Sequence, residues 1–264
     1  MEITLSHFTM PVDLYMSSPA HTIAPGESIR SAQTRLSDLS ISSLAVVDDG
    51  TQKLLGVISI TDLIRLGRKQ AGSRAKAALL TLPDSEVSHV MSESVVSVAR
   101  EDEVAMAARK MVEGHVHRIY VEEAGRLVGV LSTRDIMLAI RDKRSAQPIS
   151  DWMSSPAFTV RCEEPISLAT ERLEKAGVSG LIVVDKDWPV GLFRQHEALE
   201  SRDEPRDTPV EAVMSSAMLA LDRATPLHRA AAQAADLKVR RIIAMKNQRV
   251  EGILTGLDFA RVAS

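Results

Sequence analysis

A Ser/Thr-x-x-Asp motif occurs three times in the chain, each time before a predicted helix. Two kinds of chemistry fit this spacing. In a capping box, the hydroxyl accepts hydrogen bonds from N–H groups of the first helical turn and the acid reaches back. Alternatively, those N–H groups and the helix dipole favour a phosphate, while the carboxylate accepts two hydrogen bonds from a ribose diol. The two uses are compatible, because a ligand can replace the cap. The copies are Ser59 to Asp62, Ser132 to Asp135 and Thr255 to Asp258.

Positive charge recurs before a short β-like run in two places, and small residues stand at the matching positions elsewhere. A single arginine at a strand edge is usually a surface residue. Recurrence in the same register favours phosphate binding here, because the guanidinium presents a planar fork that suits phosphate oxygens. The basic pairs are His117-Arg118 and Arg240-Arg241, and the matching small pairs are Ser42-Ser43 and Ser179-Gly180.

These motifs are positioned by an internal repeat of about sixty residues, which occurs four times and fixes the architecture. Each copy has a methionine, an apolar helix face that begins 13 residues later, a β-like run 17 residues beyond that, and then a glycine. The last interval is ten residues in the first copy and eight in the others, which predicts a longer hairpin loop near Thr51 and Gln52. The anchors are Met16/Ile29/Val46/Gly56, Met91/Val104/Val121/Gly129, Met153/Ile166/Val183/Gly191 and Met214/Leu227/Ala244/Gly252.

Each copy predicts a short strand, a helix, two hairpin strands and a second helix. The first helix carries apolar residues at intervals of 3, 7 and 10, which form one stripe. The fold class is therefore α/β, with α+β repeats of the order β-α-β-β-α. One such unit buries too little surface to be stable alone, so we expect sequential pairing. The predicted repeats are 8–68, 85–145, 146–202 and 207–264, grouped as modules 8–145 and 146–264 with a joint at 145–148.

The third copy breaks the motif, because it reads GLFRQHEAL where the others carry a hydroxyl and an aspartate. Arg194 replaces the hydroxyl and Glu197 replaces the aspartate, so a bulky cation stands where a phosphate would approach. We expect this site to be empty or altered. Arg194 could reach a ligand held by the fourth copy, but a plain surface arginine is the simpler interpretation.

Composition excludes several classes of protein. With 45% hydrophobic and 25% charged residues the chain is not disordered, and a net charge of −3 gives no general attraction to nucleic acid or anionic membranes. No apolar run reaches the ~18 residues that span a bilayer, and the N-terminus does not resemble a signal peptide, so we expect a cytoplasmic protein. Cys162 is the single cysteine, which excludes an intrachain disulfide. A locally basic stretch is interpreted as a solvated helix face, and it contains Arg65, Arg68, Lys69, Arg74 and Lys76.

The four copies resemble the cystathionine β-synthase (CBS) domain, which occurs in tandem pairs called Bateman modules. The resemblance covers nearly the whole chain and rests on DLYMSSPAHTI, HVMSESVVSV, DWMSSPAFTV and AVMSSAMLAL at the starts, with GVISITDL, GVLSTRDI and GILTGLDF at the ends. It implies regulatory modules that bind adenosine-containing ligands between paired repeats, with Asp62, Asp135 and Asp258 as ribose ligands.

Family members often contact the ligand through a small hydroxyl residue near the end of the first strand. Thr22, Ser97 and Thr159 occupy this position, and Ala220 replaces it in the fourth copy. The β propensity of threonine explains the pattern equally well. The predicted ligand-binding residues are Thr22, Ser59, Thr61, Asp62, Ser97, His117, Arg118, Ser132, Arg134, Asp135, Arg240, Arg241, Thr255 and Asp258.

The leading hypothesis is a non-catalytic sensor that binds AMP, ADP or ATP, with S-adenosylmethionine ranked below these and Mg²⁺ accompanying a polyphosphate. The alternative is a ligand-free interaction scaffold built from degenerate repeats. Catalysis is not expected, because no nucleophile is accompanied by a base in a recognisable motif. The expected partners are the nucleotide and either a protein target or a second copy in a disc-like homodimer. Membrane and nucleic acid partners are disfavoured, and stacking within or between chains stays open.

Overall fold

The computed structural model describes residues 8–39, 41–63, 66, 82–201 and 204–264. The basic stretch between Arg65 and Lys76 lies outside these residues. Each of the four repeats forms its own three-stranded sheet flanked by helical segments, so the predicted fold class is confirmed.

All four sheets share one topology, in which the first strand pairs parallel with the second and the second pairs antiparallel with the third. A parallel pair requires a crossover connection, and the first helix of each repeat provides it. The sheets are β1 (Thr22–Ile23), β2 (Ser43–Val47) and β3 (Leu54–Ser59); β4 (Ser97–Ala99), β5 (Arg118–Glu123) and β6 (Arg126–Ser132); β7 (Thr159–Arg161), β8 (Gly180–Asp185) and β9 (Trp188–Arg194); β10 (Leu219–Asp222), β11 (Arg241–Lys246) and β12 (Arg249–Thr255).

The helices that cross between parallel strands begin at the four residues predicted from the repeat. These are α1 (Ile29–Asp38), α2 (Val104–Glu113), α4 (Ile166–Ala176) and α6 (Leu227–Asp236). The second helix of the first repeat is described over residues 60–63 and at 66, and its counterparts are α3 (Thr133–Asp142), α5 (Gln195–Glu200) and α7 (Gly256–Ala263). The predicted apolar stripe faces the core, since Ile29, Ala32 and Leu36 of α1 are all buried.

The hairpin connections follow the predicted loop lengths. Between β5 and β6, Ala124 and Gly125 both have positive φ, at 49° and 74°, which is the geometry of a two-residue type I′ turn. The first hairpin is longer, as its two extra residues predict. Its loop closes on Asp48, whose Oδ1 accepts hydrogen bonds from the backbone N and Oγ1 of Thr51 at 2.8 and 2.7 Å.

The repeated methionine and glycine join two repeats rather than stabilise one. Met16 of the first repeat lies on Gly129 of the second, where a Cβ would stand 2.8 Å from its Sδ. Met91 of the second repeat lies in the same way on Gly56 of the first, again at 2.8 Å. The third and fourth repeats exchange methionines likewise. Repeats therefore pair in sequence, and each glycine leaves room for the partner's methionine. The exchanged contacts are Met16 with Gly129, Met91 with Gly56, Met153 with Gly252 and Met214 with Gly191.

The chain divides into two compact units, one of residues 1–132 with Ser264 and one of residues 133–263. The boundary between the two units lies just before α3, whereas the sequence predicts a joint between the modules at 145–148. The predicted boundaries of the single repeats stay predictions. Within the second unit α3 packs against α6 and α7. Thr133 at its start is buried against Gly256. Over the described ranges, no helix has both the length and the apolar character needed to span a bilayer.

Candidate functional site

The Ser59-to-Asp62 motif forms a reciprocal capping box in the first unit. The backbone N and Oγ of Ser59 donate to Oδ2 of Asp62 at 2.9 and 2.6 Å, and the backbone N of Asp62 donates to Oγ of Ser59 at 3.2 Å. The capping interpretation is confirmed for this copy. Among the described residues, these bonds engage Oδ2 of Asp62 alone, so the ribose role of its carboxylate stays a prediction that the geometry permits.

Arg118 of the second repeat reaches the edge of this box. Its Nη1 donates to Oγ of Ser43 at 2.8 Å, and Ser43 is the ladder partner of Ser59 at the end of the first hairpin. In its own hairpin Arg118 pairs with Ser132, where the second motif begins. One guanidinium thus lies beside hydroxyl residues of both repeats, where a phosphate held between the repeats would meet it.

Tyr120 supports the same serine from inside the first pair of repeats. Its side chain is buried, and its hydroxyl donates to Oγ of Ser43 at 3.4 Å. Burial raises the pKa of Tyr120, although Ser43 and the nearby Arg118 charge oppose the shift. The phenol therefore stays a neutral donor, and Ser43 accepts from two donors at once. Sequence reasoning missed Tyr120, because nothing in its local spacing separates it from a core residue.

Thr22 and Ser97 lie on the short first strands, where their backbone carbonyls accept hydrogen bonds from basic side chains of the following helix. Each donor stands 13 residues after its acceptor, a spacing that sequence reasoning did not exploit. These basic residues have a structural role, because their hydrogen bonds connect the helix to the first strand of the same repeat. The ligand role of the Thr22 and Ser97 hydroxyls remains a prediction. The bonds are Arg35 Nη1 to Thr22 O at 3.0 Å, Lys110 Nζ to Ser97 O at 2.8 Å and Arg172 Nη1 to Thr159 O at 3.4 Å.

The Thr255-to-Asp258 motif also forms a cap, but its carboxylate is engaged on both oxygens. Oδ2 of Asp258 accepts from the backbone N and Oγ1 of Thr255 at 2.6 and 2.7 Å, and Oδ1 accepts from Arg261. Asp258 is buried, with 4% of its surface exposed. A ribose diol would have to displace these donors, whereas the bonds of Asp62 to described residues leave its Oδ1 unengaged.

In the altered third copy, Arg194 and Glu197 form an ion pair with each other. Oε2 of Glu197 accepts from the backbone N and Nε of Arg194 at 2.9 and 2.8 Å, and Oε1 accepts from Nη2. Burial favours a raised pKa for Glu197, but the hydrogen bonds and charge of Arg194 outweigh it and hold the pKa below its usual value. Arg194 is therefore not the plain surface arginine that the sequence favoured, since two nitrogens of its guanidinium donate hydrogen bonds to the buried carboxylate of Glu197.

Arg241 of the fourth repeat occupies the position that matches Arg118, but its acceptor lies one residue earlier in the partner repeat, since Ser179 matches Ser42 and not Ser43. Its Nη2 donates to Oγ of Ser179 in the third repeat at 2.8 Å. Arg194 and Arg241 flank the same glycine, because a Cβ at Gly180 would lie 3.2 Å from Cγ of Arg194 and 3.7 Å from Nε of Arg241. Burial lowers the pKa of Arg241, and the like charge of Arg194 lowers it further, while Glu197 acts in the opposite direction.

The other predicted ligand residues are dispersed. His117 is exposed before β5, Thr61 is exposed among helical residues 60–63, and Arg240 is partly buried before β11. Arg134 and Asp135 lie in the first turn of α3, in the second unit.

Arg134 is engaged within that unit, where its Nη2 donates to the backbone O of Lys238 at 3.5 Å. Its Nε is buried and has no hydrogen-bond partner among the described residues. The described residues contain no group of three or more His, Cys, Asp or Glu side chains that could hold a metal ion. The accompanying Mg²⁺ therefore stays a prediction that depends on a bound polyphosphate.

Comparison with known proteins assigns the family. The family model for the CBS domain matches residues 12–69, 87–142 and 149–204, which is more than half of the chain. The chain belongs to the CBS-domain family. The fourth repeat of this CBS protein falls outside the matched residues, but it has the same three-stranded topology and the same Met–Gly exchange.

Solved structures support the fold over nearly the whole length. Protein MJ1225 of Methanocaldococcus jannaschii has a TM-score of 0.78 at 16% identity, with 97% of this CBS protein and all of that chain covered. An uncharacterized conserved protein of Pyrococcus horikoshii has a TM-score of 0.70 at 20% identity, with the same coverage. At these identities the similarity concerns the fold alone.

Among curated relatives, the L-aspartate semialdehyde sulfurtransferase of Methanosarcina acetivorans is 32% identical over 100 residues. The homoserine O-acetyltransferase of Methanohalobium evestigatum is 32% identical over 107 residues. The chain spans about a fifth of the length of these relatives, at 20% and 22%. Their names therefore describe proteins of which the matching region is a small part.

Proposed function

We propose that this CBS-domain protein is a non-catalytic sensor that binds an adenine nucleotide in the cleft of its first pair of repeats. The observation that carries the proposal is the position of Arg118, which crosses from the second repeat to Ser43 beside the Ser59–Asp62 box. A cation and a hydroxyl–carboxylate box from two different repeats thus lie at one edge of the first cleft.

The chemistry of these groups matches the parts of a nucleotide. The guanidinium of Arg118 suits phosphate oxygens, and the carboxylate of Asp62 suits a ribose diol. AMP, ADP and ATP supply both groups, and ADP or ATP would bring Mg²⁺ as an accompanying ion. S-adenosylmethionine ranks below them because it offers no phosphate to Arg118. The family to which the chain belongs contains many modules that bind such ligands.

The proposed output of the sensor is a change in association. We propose that nucleotide binding changes the affinity for a protein target or for a second copy in a disc-like homodimer, and that the protein acts in the cytoplasm. Enzymatic activity is not part of this proposal. Release of product from bound nucleotide by the purified protein would contradict it.

The second candidate function is a ligand-free scaffold. The fully engaged carboxylates of Asp258 and Glu197 favour it, because both acids already have partners within the chain. A scaffold would bind its partner equally well with and without nucleotide.

A ligand-dependent melting experiment tests the sensor. AMP, ADP, ATP and S-adenosylmethionine are added to the wild type and to the variants Asp62→Asn and Arg118→Gln, and Asp38→Asn at the exposed end of α1 is the control. A ligand at a hundred times its Kd stabilises the native state by about 2.7 kcal/mol, which is readily seen. We expect a shift for the wild type and the control that Asp62→Asn loses.

Adenosine separates the two contacts, because it has the ribose but no phosphate. Arg118→Gln should weaken AMP binding at least tenfold and leave adenosine unchanged, whereas Asp62→Asn should weaken both. Absence of a shift with every nucleotide would refute the sensor and leave the scaffold.

A further inference from the structure

We infer that the second pair of repeats contains a site that binds a compact phosphate-type anion and does not recognise ribose. Arg241 and Arg194 form this site around Gly180 and Ser179. Inorganic phosphate, pyrophosphate or the terminal phosphates of a larger molecule share this chemistry. The inference does not depend on nucleotide binding by the first pair.

The positive charge of Arg241 is incompletely neutralised among the described residues. Its guanidinium is partly buried, and within the described ranges it donates one hydrogen bond, to the neutral hydroxyl of Ser179, and forms no ion pair. Burying a cation without a counter-ion is unfavourable, because the lost hydration is not replaced. An anion at this position would supply the missing partner.

Arg194 brings a second guanidinium-bearing side chain to the same place. Its stem contacts the face of Gly180 beside Arg241, so two guanidinium-bearing side chains approach one small residue. The Arg194 guanidinium is bound to Glu197, which offsets one of the two positive charges. The two arginines and Glu197 together carry one net positive charge. Burial and the charge of Arg194 lower the pKa of Arg241, while Glu197 opposes this shift.

The two carboxylates of the second pair that could recognise a ribose already accept hydrogen bonds within the chain. In the second pair, Glu197 accepts from Arg194 on both oxygens, and Asp258 accepts from Thr255 and Arg261 on its two oxygens. Both acids are buried, at 5% and 4% exposure. Neither can accept two further hydrogen bonds from a diol without losing existing donors. The cation of the cleft is thus open to a ligand, whereas its acids are occupied.

The first pair differs at matching positions. There Tyr120 donates a second hydrogen bond to the serine that faces the arginine, while the equivalent residue of the fourth repeat is Ile243, which has no donor. The Asp62 box of the first pair is also unlike the Arg194–Glu197 pair. The two clefts therefore share one cation position but differ in the groups around it, which favours different ligands.

The test uses the full chain with the first cleft disabled by Asp62→Asn and Arg118→Gln. Isothermal titration measures binding of pyrophosphate, inorganic phosphate, AMP and adenosine, and Trp152 and Trp188 report the second unit, since both lie within 133–263. We expect pyrophosphate to bind, adenosine not to bind, and AMP to bind no more tightly than pyrophosphate.

Three further variants in this background assign the site. Arg241→Gln should weaken pyrophosphate binding at least tenfold, and Ser179→Ala should weaken it a few-fold. Arg249→Gln is the matched control, because Arg249 is an exposed arginine at the other end of the same hairpin that pairs with Asp187, and its removal should change nothing.

The double variant Arg194→Ser with Glu197→Asp restores the motif of the other repeats without leaving an unpaired buried acid. It should weaken pyrophosphate at least threefold and raise the affinity for AMP relative to pyrophosphate. Pyrophosphate binding that survives Arg241→Gln unchanged would overturn the inference. So would adenosine binding that depends on Arg241, or AMP binding tenfold tighter than pyrophosphate before the motif is restored. The nucleotide proposal for the first pair is judged separately, by the Asp62-dependent shift with AMP.

Discussion

Gly252→Ala should destabilise the second unit strongly, because the added methyl group enters the contact between the third and fourth repeats. A Cβ at position 252 would lie 2.6 Å from Sδ of Met153 and 2.7 Å from the backbone O of Ser154. Met153 can adopt another rotamer, since its side chain has several rotatable bonds. The backbone carbonyl of Ser154 cannot move away as easily, because it accepts a hydrogen bond from the backbone N of Ile253 at 3.0 Å.

The magnitude follows from the required movement. An ordinary contact for a Cβ begins near 3.4 Å, so the carbonyl of Ser154 must retreat from 2.7 Å by several tenths of an ångström. Overpacking of this kind costs about 1–3 kcal/mol. The movement also weakens the two backbone bonds between Ser154 and Ile253, each of which contributes about 0.5–1.5 kcal/mol. We expect the free energy of unfolding to fall by about 2–5 kcal/mol.

Equilibrium urea unfolding followed by tryptophan fluorescence measures this change, because both tryptophans lie in the second unit. Gly26→Ala is the control, since no atom lies within 4 Å of a Cβ placed there. Adding Met153→Ala to Gly252→Ala should recover only part of the loss, because the Ser154 carbonyl remains in the way. Equal midpoints for Gly252→Ala and Gly26→Ala would refute the Met–Gly contact as the link between these repeats.

Three further changes test other parts of the structure. Ser28→Ala removes the cap of α1, where Oγ accepts from the backbone N of Ser31 at 3.1 Å, and should cost about 0.5–2 kcal/mol in a thermal melt followed by circular dichroism. Glu197→Gln should be most destabilising at neutral pH. Because the folded pKa of Glu197 is lowered, its charged form stabilises the fold above the ordinary value of 4.5, and this contribution is lost as pH falls through the folded pKa. The stability gap to wild type should therefore narrow in acid melts, and a constant gap would contradict the ion pair. Tyr120→Phe removes a donor to Ser43, so titration should show weaker AMP binding with adenosine unchanged; equal loss for both ligands would indicate a purely structural role.

Local elements of this fold could be predicted because their causes are local. The four crossover helices begin at the predicted residues, since the apolar period and the residues before each helix act over one or two turns. The cap between Ser59 and Asp62 has the same local origin, as does the longer first hairpin. Each of these features is determined within fewer than a dozen residues of one repeat.

Contacts between repeats could not be predicted from the same patterns. The spacing within one copy shows that Met16 and Gly56 recur, but Met16 lies on Gly129 and Gly56 receives Met91. Nothing in a periodic pattern states which copy supplies the contact. The bond from Arg118 to Ser43 was missed for the same reason, because it joins positions 75 residues apart.

The engagement of each carboxylate gives one criterion for ranking the clefts. Glu197 and Asp258 already accept on both oxygens, so a diol there would compete with donors that are part of the fold. Asp62 accepts on Oδ2 from Ser59, among the described residues, and a ligand would add to this cap. Each arginine that faces a cleft donates to a serine of the partner repeat, Ser43 in the first pair and Ser179 in the second, so a cation is present in both clefts and the engagement of the acids separates them. The nucleotide is therefore expected in the first pair, where cation and acid can act together, and a ribose-free anion in the second, where only the cation can.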